Sequence, residues 1–310
     1  MSEGTGRREE GGLPPLAVVV INWNGREVLA DCLGSLAQES YPALRLIMVD
    51  NASADDSVAW TRRHHPEVEI LVSDRNLRWA GGCNLALRAL QREGFAGWIL
   101  LLNNDTVVPE GSLRRLVEAV ACVPEAWAGT PRICYASDPG RIWYDGGIIG
   151  RWCGWVRHKG IRMVAGDLPL DSRFVDYGTG CALLVGQKAL AQVGLFDEDF
   201  HFYGEDADYS LRILAAGGRI LHVPRSIVLH KVSMSVGESS PLKVWLRNRS
   251  HWRLLRKHWR WYRWPLLAVC QLVYLSGHTV FHLWHGRMGT AAAVWLGIID
   301  EIRDRPYPRR

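Results

Sequence analysis

The first strong pattern in the chain is Leu16 to Asn24, "LAVVVINWN", an unbroken apolar run rich in Val and Ile that ends in polar residues. Such a run predicts a central parallel strand buried on both faces. In "REVLADCLGSLAQ", directly after it, Val28, Leu29, Cys32, Leu33 and Leu36 recur at helical spacing. The alternation then repeats. "LRLIMVD" reads as a strand, "ASADDSVAWTRRH" as the start of a helix with Ser and Asp near its N-cap, and "EILVS" as a third strand. "GGCNLALRALQREG" reads as a helix and "GWILLLNND" as a fourth strand. This order predicts a sheet built from βαβ units with right-handed crossovers. From about Ala126 to Gly186 shorter strands and Gly-rich turns take over, as in "IWYDGGIIG" and "YGTGCALLVG". A helix is predicted after Gly204, with Ala207, Leu211, Leu214 and Ala215 on one face and Gly217-Gly218 at its end. A strand in "GRILHVP" and an apolar run ending at His230 follow.

In sheets of this kind ligands bind beyond the carboxyl ends of the strands. The polar residues gather there: Asn22 and Asn24, Asp50 and Asn51, and Asn103, Asn104 and Asp105. No GxGxxG follows the first strand and no GxxxxGK[ST] occurs, so dinucleotide and P-loop readings lack their phosphate cradle. Asp50 and Asp105 each end a strand, where turns favour Asn and Asp anyway. One of them can also hydrogen-bond a base or ribose while the other holds a divalent cation against phosphates. A second acidic group lies in "HFYGEDADYSLR", where Glu205, Asp206 and Asp208 occupy the first turn of the predicted helix. Capping explains acids there, since the helix dipole favours them. It does not explain the aromatic residues of "FDEDFHFYG" in front, which suit a pocket wall and a general base within it. His230 reads as a packed or surface residue or as a metal ligand. Trp143, Trp152 and Trp155 suit stacking on sugars or a place in the core, because the chain has 15 Trp.

Composition then limits the class. At 310 residues, 48% apolar and 22% charged, the chain holds one large domain, or one domain with an appendage, around a substantial core. The excess of 37 Lys+Arg over 32 Asp+Glu is small, but Lys243 to Arg263 carries eight basic residues and no acidic one. That run interleaves Trp and Tyr with Arg and Lys and leads into "PLLAVCQLVYLSGHTVFHLW", about the length that spans a bilayer. Its apolar continuation disfavours nucleic acid as the partner and favours an anionic membrane surface. His278 and His282 argue for interfacial attachment over a true span. The bland alternative is a helical appendage packed on the rest of the chain. Seven cysteines without a CxxC pair are expected as reduced packing residues of a cytosolic protein. "MSEGTGRREEGG" has no apolar signal-peptide segment and is expected to be a loose tail.

Taken in order, "VVVINWNG", "IMVDNASADDS", "NLRWAGGCN", "LLLNNDT", "YGTGCALLV", "GLFDEDFHFYGEDADYSLRILAAGGRILHVP" and "VLHKVSMS" resemble the inverting glycosyltransferases of family 2 over roughly residues 16 to 236. Within that family the resemblance is nearest to bacterial enzymes that transfer rhamnose from dTDP-rhamnose. It implies an α/β, Rossmann-like GT-A fold, mainly a parallel sheet with a smaller acceptor-side part, followed by a C-terminal helical appendage. The expected divisions are a tail over 1–14, a catalytic domain over 15–236, and a basic, aromatic, membrane-associating region over 237–310.

Position by position, the resemblance implies that Asp50 contacts the base and ribose of the donor. Asp105 corresponds to the last acid of a metal-binding DxD element, whose first position here is Asn103. Asp206 corresponds to the catalytic base, with Glu205 orienting the acceptor, and Asp208 is left to the helix's first turn. His230 corresponds to a histidine that completes the metal site in some relatives. The expected donor site comprises Asn22, Asn24, Asp50, Asn51, Arg78, Gly81, Gly82, Asn104 and Asp105. Arg78 is open to two readings, a diphosphate contact or a surface residue. Mg²⁺ or Mn²⁺ is the implied cofactor and a dTDP- or UDP-linked sugar the implied donor. A glycan or lipid-linked acceptor for cell-surface polysaccharide is the implied partner, at the cytoplasmic face of the cell membrane. A different hexosyl donor, a nucleotidyltransferase and a noncatalytic sugar-nucleotide sensor or scaffold stay open as alternatives. A poor basic loop in "NWNGREV" speaks against the second, and Asn103 motivates the third.

Overall fold

The computed structural model describes residues 12–232 and 240–307. Most of the tail expected over 1–14 and most of the "VSMS" piece lie outside these residues. In chain order the elements are β1 (Leu16–Asn22), α1 (Arg26–Ala37), β2 (Leu44–Asp50), α2 (Ser57–His64), β3 (Glu69–Val72), α3 (Arg78–Arg92), β4 (Trp98–Asn103), β5 (Thr106–Val107) and α4 (Ser112–Ala121). They continue with β6 (Ala126–Tyr135), β7 (Asp138–Tyr144), β8 (Gly147–Ile149), β9 (Val156–His158), β10 (Arg173–Val175), β11 (Ala182–Val185), α5 (Gln187–Val193), α6 (Glu205–Ala215) and β12 (Arg219–His230). Three helices close the chain: α7 (Pro241–His258), α8 (Trp264–Trp284) and α9 (Met288–Ile302).

The main sheet runs β10-β12-β6-β11-β4-β1-β2-β3, with β5 paired to β12 and β7 to β6. Its β4-β1-β2-β3 half is parallel, as the βαβ alternation predicts, and β11 joins it antiparallel on both sides. The alternating faces of β1 explain why its sequence is apolar throughout. Leu16, Val18 and Val20 pack with α1 and α4 residues on one side, and Ala17, Val19 and Ile21 with α3 and α5 residues on the other. Each fully buried aliphatic side chain of this kind contributes about 1.5–3 kcal/mol. Parallel register brings the ends of β1, β2 and β4 level, pairing Asn22 with Asp50 and Ile21 with Asn103. The polar residues thus leave the sheet along one edge.

β12 is a single strand of 12 residues, longer than "GRILHVP" alone suggests, and its register against β6 shifts between Val223 and Ile227. Pro224 sits in that irregular stretch, where a missing N–H is tolerated. Beyond the shift the strand pairs His230 with Thr106 of β5, which decides where His230 lies.

The face of α6 differs from the predicted one. Ala207 is buried as expected, but Tyr209, Ser210 and Ile213 fill the contact, Leu211 and Leu214 are half-buried, and Ala215 is exposed. The reason is packing partners the local pattern does not show: Tyr209 and Ile213 join Phe196 and the α5 residues Ala189 and Leu190, and Ser210 Oγ accepts from Gly178 N (3.2 Å). Toward α7, the fully buried Asp208 accepts hydrogen bonds from Arg212 Nε (2.9 Å) and His258 Nε2 (2.7 Å) and forms an ion pair with Lys257 (2.8 Å). Asp208 is therefore an anchor between helices and not an ordinary first-turn acid. α7 in turn holds α9 through Arg249 and Glu301 (3.0 Å) and Trp245 and Asp300 (2.9 Å).

Candidate active site

Three strand-end loops are tied into one polar floor. Asn22 is fully buried; its Nδ2 donates to Asp50 Oδ1 (2.9 Å) and Ser53 Oγ (3.2 Å), and its Oδ1 accepts from Asn104 Nδ2 (2.8 Å). Asp50 also accepts from Ser53 N (2.9 Å) and Ser53 Oγ (2.6 Å). Its carboxylate thus shapes the loop after β2 as well as facing the floor. Asn24, in the left-handed region at φ 48°, accepts from Ala54 N (2.7 Å) and donates its own N–H to Ser53 Oγ (2.9 Å). Gly25 has to lack a side chain, because a Cβ there would stand 2.0 Å from Asn104 Nδ2. The loop crosses directly over the Asn22–Asn104 hydrogen bond.

The first turn of α3 closes this floor. Asn51 Nδ2 donates to the Arg78 carbonyl (3.0 Å), and Gly82 packs against the Asn51 side chain. Gly81 is buried beside it, against Leu77 and Glu198. The Arg78 side chain is not on the open surface. Half-buried, its guanidinium lies 5.5 Å from the Phe202 ring centroid and 5.9 Å from that of Tyr307, on the side of the second acidic group. Trp79, next along, donates its indole N–H to Asn103 Oδ1 (3.0 Å). Asn103 and the Trp in the first turn of α3 are therefore partners.

Asp105 and His230 are neighbours, with 3.2 Å between Oδ1 and Nε2. The β5–β12 ladder brings them together, since Lys231 N donates to the Asp105 carbonyl (2.8 Å) and Thr106 pairs with His230. Trp143 supports the imidazole edge-to-face at 4.5 Å. Burial disfavours a charged imidazole, but Cys181 and the Asp105 carboxylate outweigh it and push His230 up to about 10. One carboxylate oxygen and one imidazole nitrogen at this separation fit a small divalent cation, because neighbouring ligands about 2.1 Å from an octahedral ion stand about 3 Å apart. Two protein ligands leave the remaining positions to water or phosphate. Among the described residues no group of three or more His, Cys, Asp or Glu is arranged for a metal.

The second acidic group stands at the start of α6, after two successive left-handed residues, Tyr203 (φ 69°) and Gly204 (φ 87°). Strain at a non-glycine residue of this kind clusters at functional loops. Asp206 accepts from Gly180 N (2.9 Å) and Ala207 N (2.7 Å), whereas Glu205 Oε2 is buried with no hydrogen-bond partner among the described residues. Burial, with Asp206 beside it, pushes Glu205 up to about 8, and burial raises Asp206 against the opposing backbone hydrogen bonds. Glu205 and Asp206 line a cavity of about 750 Å³ shared with Tyr177, Arg247, His251 and the α8 residues Val269 and Val273.

The loop before β11 joins the two charged groups. Gly180 holds Asp206, and the adjacent Cys181 feels the charges of His230, Asp105 and Asp206 together. Trp79 packs its ring on Gly180, where a Cβ would approach to 3.0 Å. Gly180, Trp79, Ser53 and Arg247 were not singled out as site residues from the sequence. Gly180 acts through its backbone, Ser53 hides in an ordinary turn, and Arg247 sits in a basic run that invites a different explanation.

The family model described as Glycosyl transferase family 2 matches residues 17–173. The chain belongs to glycosyl transferase family 2. A second model, Glycosyl transferase family group 2, matches residues 98–299 of this glycosyltransferase and so reaches into α9. An N-acetylglucosaminyl-diphospho-decaprenol L-rhamnosyltransferase of Mycobacterium tuberculosis is 28% identical over 273 residues, covering 81% of this chain and 87% of that protein. A pre-mycofactocin glycosyltransferase of the same organism is 27% identical over 197 residues, 62% of this chain and 38% of that protein. Among solved structures, the mannosyltransferase PcManGT from Pyrobaculum calidifontis, in complex with GDP-Man and Mn²⁺, superposes with a TM-score of 0.61 at 15% identity, covering 94% of this chain and 88% of that one. The glycosyltransferase therefore has the α/β GT-A fold with a helical C-terminal appendage.

Proposed function

We propose that this glycosyltransferase moves a sugar, with rhamnose the first candidate, from a nucleoside diphosphate to a hydroxyl of a lipid-linked acceptor, with inversion at the anomeric carbon. The observation that carries the reading is the pair Glu205–Asp206: two adjacent carboxyls at a cavity, one of them aimed by the Gly180 and Ala207 amides. Asp206 takes the proton from the attacking hydroxyl. Its two amide hydrogen bonds fix its direction, and its raised proton affinity makes it a stronger base than a surface carboxylate. Glu205, pushed up to about 8, is protonated at neutral pH and donates a hydrogen bond to the acceptor.

The donor lies on the floor made by Asn22, Asn24, Asp50, Asn51, Asn104 and the first turn of α3 at Gly81 and Gly82. Asp50 faces the base and ribose while keeping the Ser53 turn in shape. Asp105 and His230 would hold Mg²⁺ or Mn²⁺, which supplies positive charge where the nucleoside diphosphate departs. Arg78, drawn toward Phe202 and Tyr307, serves the acceptor side in preference to the diphosphate. Similarity to the mycobacterial L-rhamnosyltransferase supports the sugar and the lipid-linked acceptor. Attachment to an anionic membrane at the cytoplasmic face is part of the same reading, and the exposed apolar surface of α8 supports it.

Asp206→Asn is the decisive variant. Released nucleoside diphosphate should fall by roughly 10²–10⁴-fold with dTDP-rhamnose and a polyprenyl-diphosphate-linked acceptor, while donor binding persists. Turnover at the wild-type rate in that variant would remove Asp206 from the mechanism. A panel of dTDP-, UDP- and GDP-sugars with the wild-type protein tests the donor.

A further inference from the structure

The cavity at Glu205 and Asp206 has a lining of three kinds. Beside the carboxyls it is walled by Tyr177, Tyr203 and the buried Ala207. Arg157 of β9 and Arg247 of α7 also line it, both exposed, and neither has an acidic partner among the described residues. α8 adds Val269, Val273 and Tyr274, which are 60%, 68% and 39% exposed. From there Leu266 and Val280 extend the same helical stripe at spacings of three, four and seven residues, and both are largely exposed. His251 also lines the cavity but carries no charge at neutral pH. Burial pushes it down to about 4, against its hydrogen bond with Gln271 and with the help of Arg247. The arginines are therefore the permanent positive charges of this wall.

Two carboxyls, two arginines and an exposed apolar helix face on one cavity match one kind of molecule. It has a sugar, then a phosphate-type anion, then a hydrocarbon chain. We propose that Arg157 and Arg247 bind the diphosphate of a prenyl-diphosphate-linked acceptor, with the Leu266–Val269–Val273–Val280 stripe of α8 carrying the start of its chain. This rests on the lipid-linked acceptor reading above. The arginines are specificity residues of the acceptor site. Arg forks suit phosphate oxygens; the Arg157 guanidinium lies 5.2 Å from the Trp155 ring centroid, which leaves its N–H groups free for an anion. The donor's own diphosphate is held separately, at the strand-end floor.

The test is binding, not turnover, with the full-length protein in mild detergent. Geranylgeranyl diphosphate is the probe, and geranylgeraniol and inorganic diphosphate are its two halves. The wild type should bind the complete probe more tightly than either half. Arg247→Gln and Arg157→Gln should each weaken it about tenfold, and Asp206→Asn should leave it unchanged. A saturating nucleoside diphosphate should not displace it. Equal affinity for the alcohol, no effect of either Arg substitution, or displacement by nucleotide each overturns the assignment. If the probe binds as expected while no lipid-linked acceptor is ever glycosylated, the functional reading fails and the diphosphate site stands.

Discussion

Asn103, which stands where the family resemblance implies an acid, is held by Trp79. The indole N–H satisfies the amide oxygen, and the ring carries Gly180, whose N–H holds Asp206. Trp79→Phe should cost about 1 kcal/mol of stability through the orphaned Asn103 oxygen. It should also lower kcat by roughly ten- to hundredfold through a misplaced Asp206, with the donor KM little changed. Thermal melting and steady-state kinetics check the two parts separately. Glu205 makes a pH prediction. Its folded value near 8 exceeds the ordinary carboxylate value, so the fold binds an extra proton between the two. That contribution is complete below about pH 4.5 and is lost as pH rises through 8. Glu205→Gln should therefore match the wild type in stability near pH 4 and exceed it at pH 9, by an amount on the order of a few kcal/mol. Chemical denaturation at both pH values reads this. The sequence showed these acids clearly, because side chains at strand ends and helix starts leave a visible pattern. It did not show Gly180, since an amide N–H has no residue type.

At the scale of elements, the joint between α6 and α7 is the part least visible in advance. Local periodicity assigned the apolar face of α6 to Leu211, Leu214 and Ala215. Phe196 and α5 take Tyr209 and Ile213 instead, and a helix more than 25 positions later takes Asp208 through Lys257 and His258. The parallel half of the sheet was legible because each strand is apolar on both faces and each crossover helix has its own stripe. The antiparallel part was less so, because short strands such as β8, β9 and β10 carry few residues from which to read a period. Asp208→Ala leaves Lys257, His258 and Arg212 without their shared carboxylate and should cost about 3 kcal/mol or more. Asp208 is held below the ordinary carboxylate value, burial being outweighed by His258, Lys257 and Arg212. Its contribution is present above the unfolded value and is lost as pH falls through the folded one. The gap between Asp208→Asn and wild type, measured by urea denaturation, should shrink on going from pH 7 to pH 3. A similar buried knot, Asp145 with Arg132 (2.7 Å) and His222 (3.0 Å), ties β6, β12 and the turn after β7.

Seen whole, the molecule has a well-packed catalytic part and a helical end with one face left open. The basic run of α7 and the turn after it falls into two sets. Arg249 and Arg253 pair with Glu301, and Lys257 with Asp197 and Asp208, while Lys243, Arg247, Arg256, Arg260 and Arg263 have no ion pair among the described residues. The packed-appendage reading of that run holds for Arg249, Arg253 and Lys257 of α7; membrane-facing charge is the proposed role of the others. His282, which had argued against apolar surroundings, is buried against the neighbouring helices, and the exposed side of α8 is Val, Leu and Phe. α8 is long and apolar enough to cross a membrane by length and composition, and 22% of that window is buried. On the interfacial reading, flotation with anionic vesicles should recover the protein at low salt. Val269→Asp with Val273→Asp should reduce recovery about tenfold or more without lowering the melting temperature, because both side chains are exposed in the folded protein.

The cavity's exit on α8 has a kinetic consequence. An enzyme that meets its acceptor through such an opening works in two dimensions, so the quantity that saturates it is acceptor per unit of membrane area. Diluting a fixed amount of acceptor with inert lipid should slow turnover in proportion, although no bulk concentration has changed. A short-chain, water-soluble acceptor of the same sugar should be indifferent to added lipid.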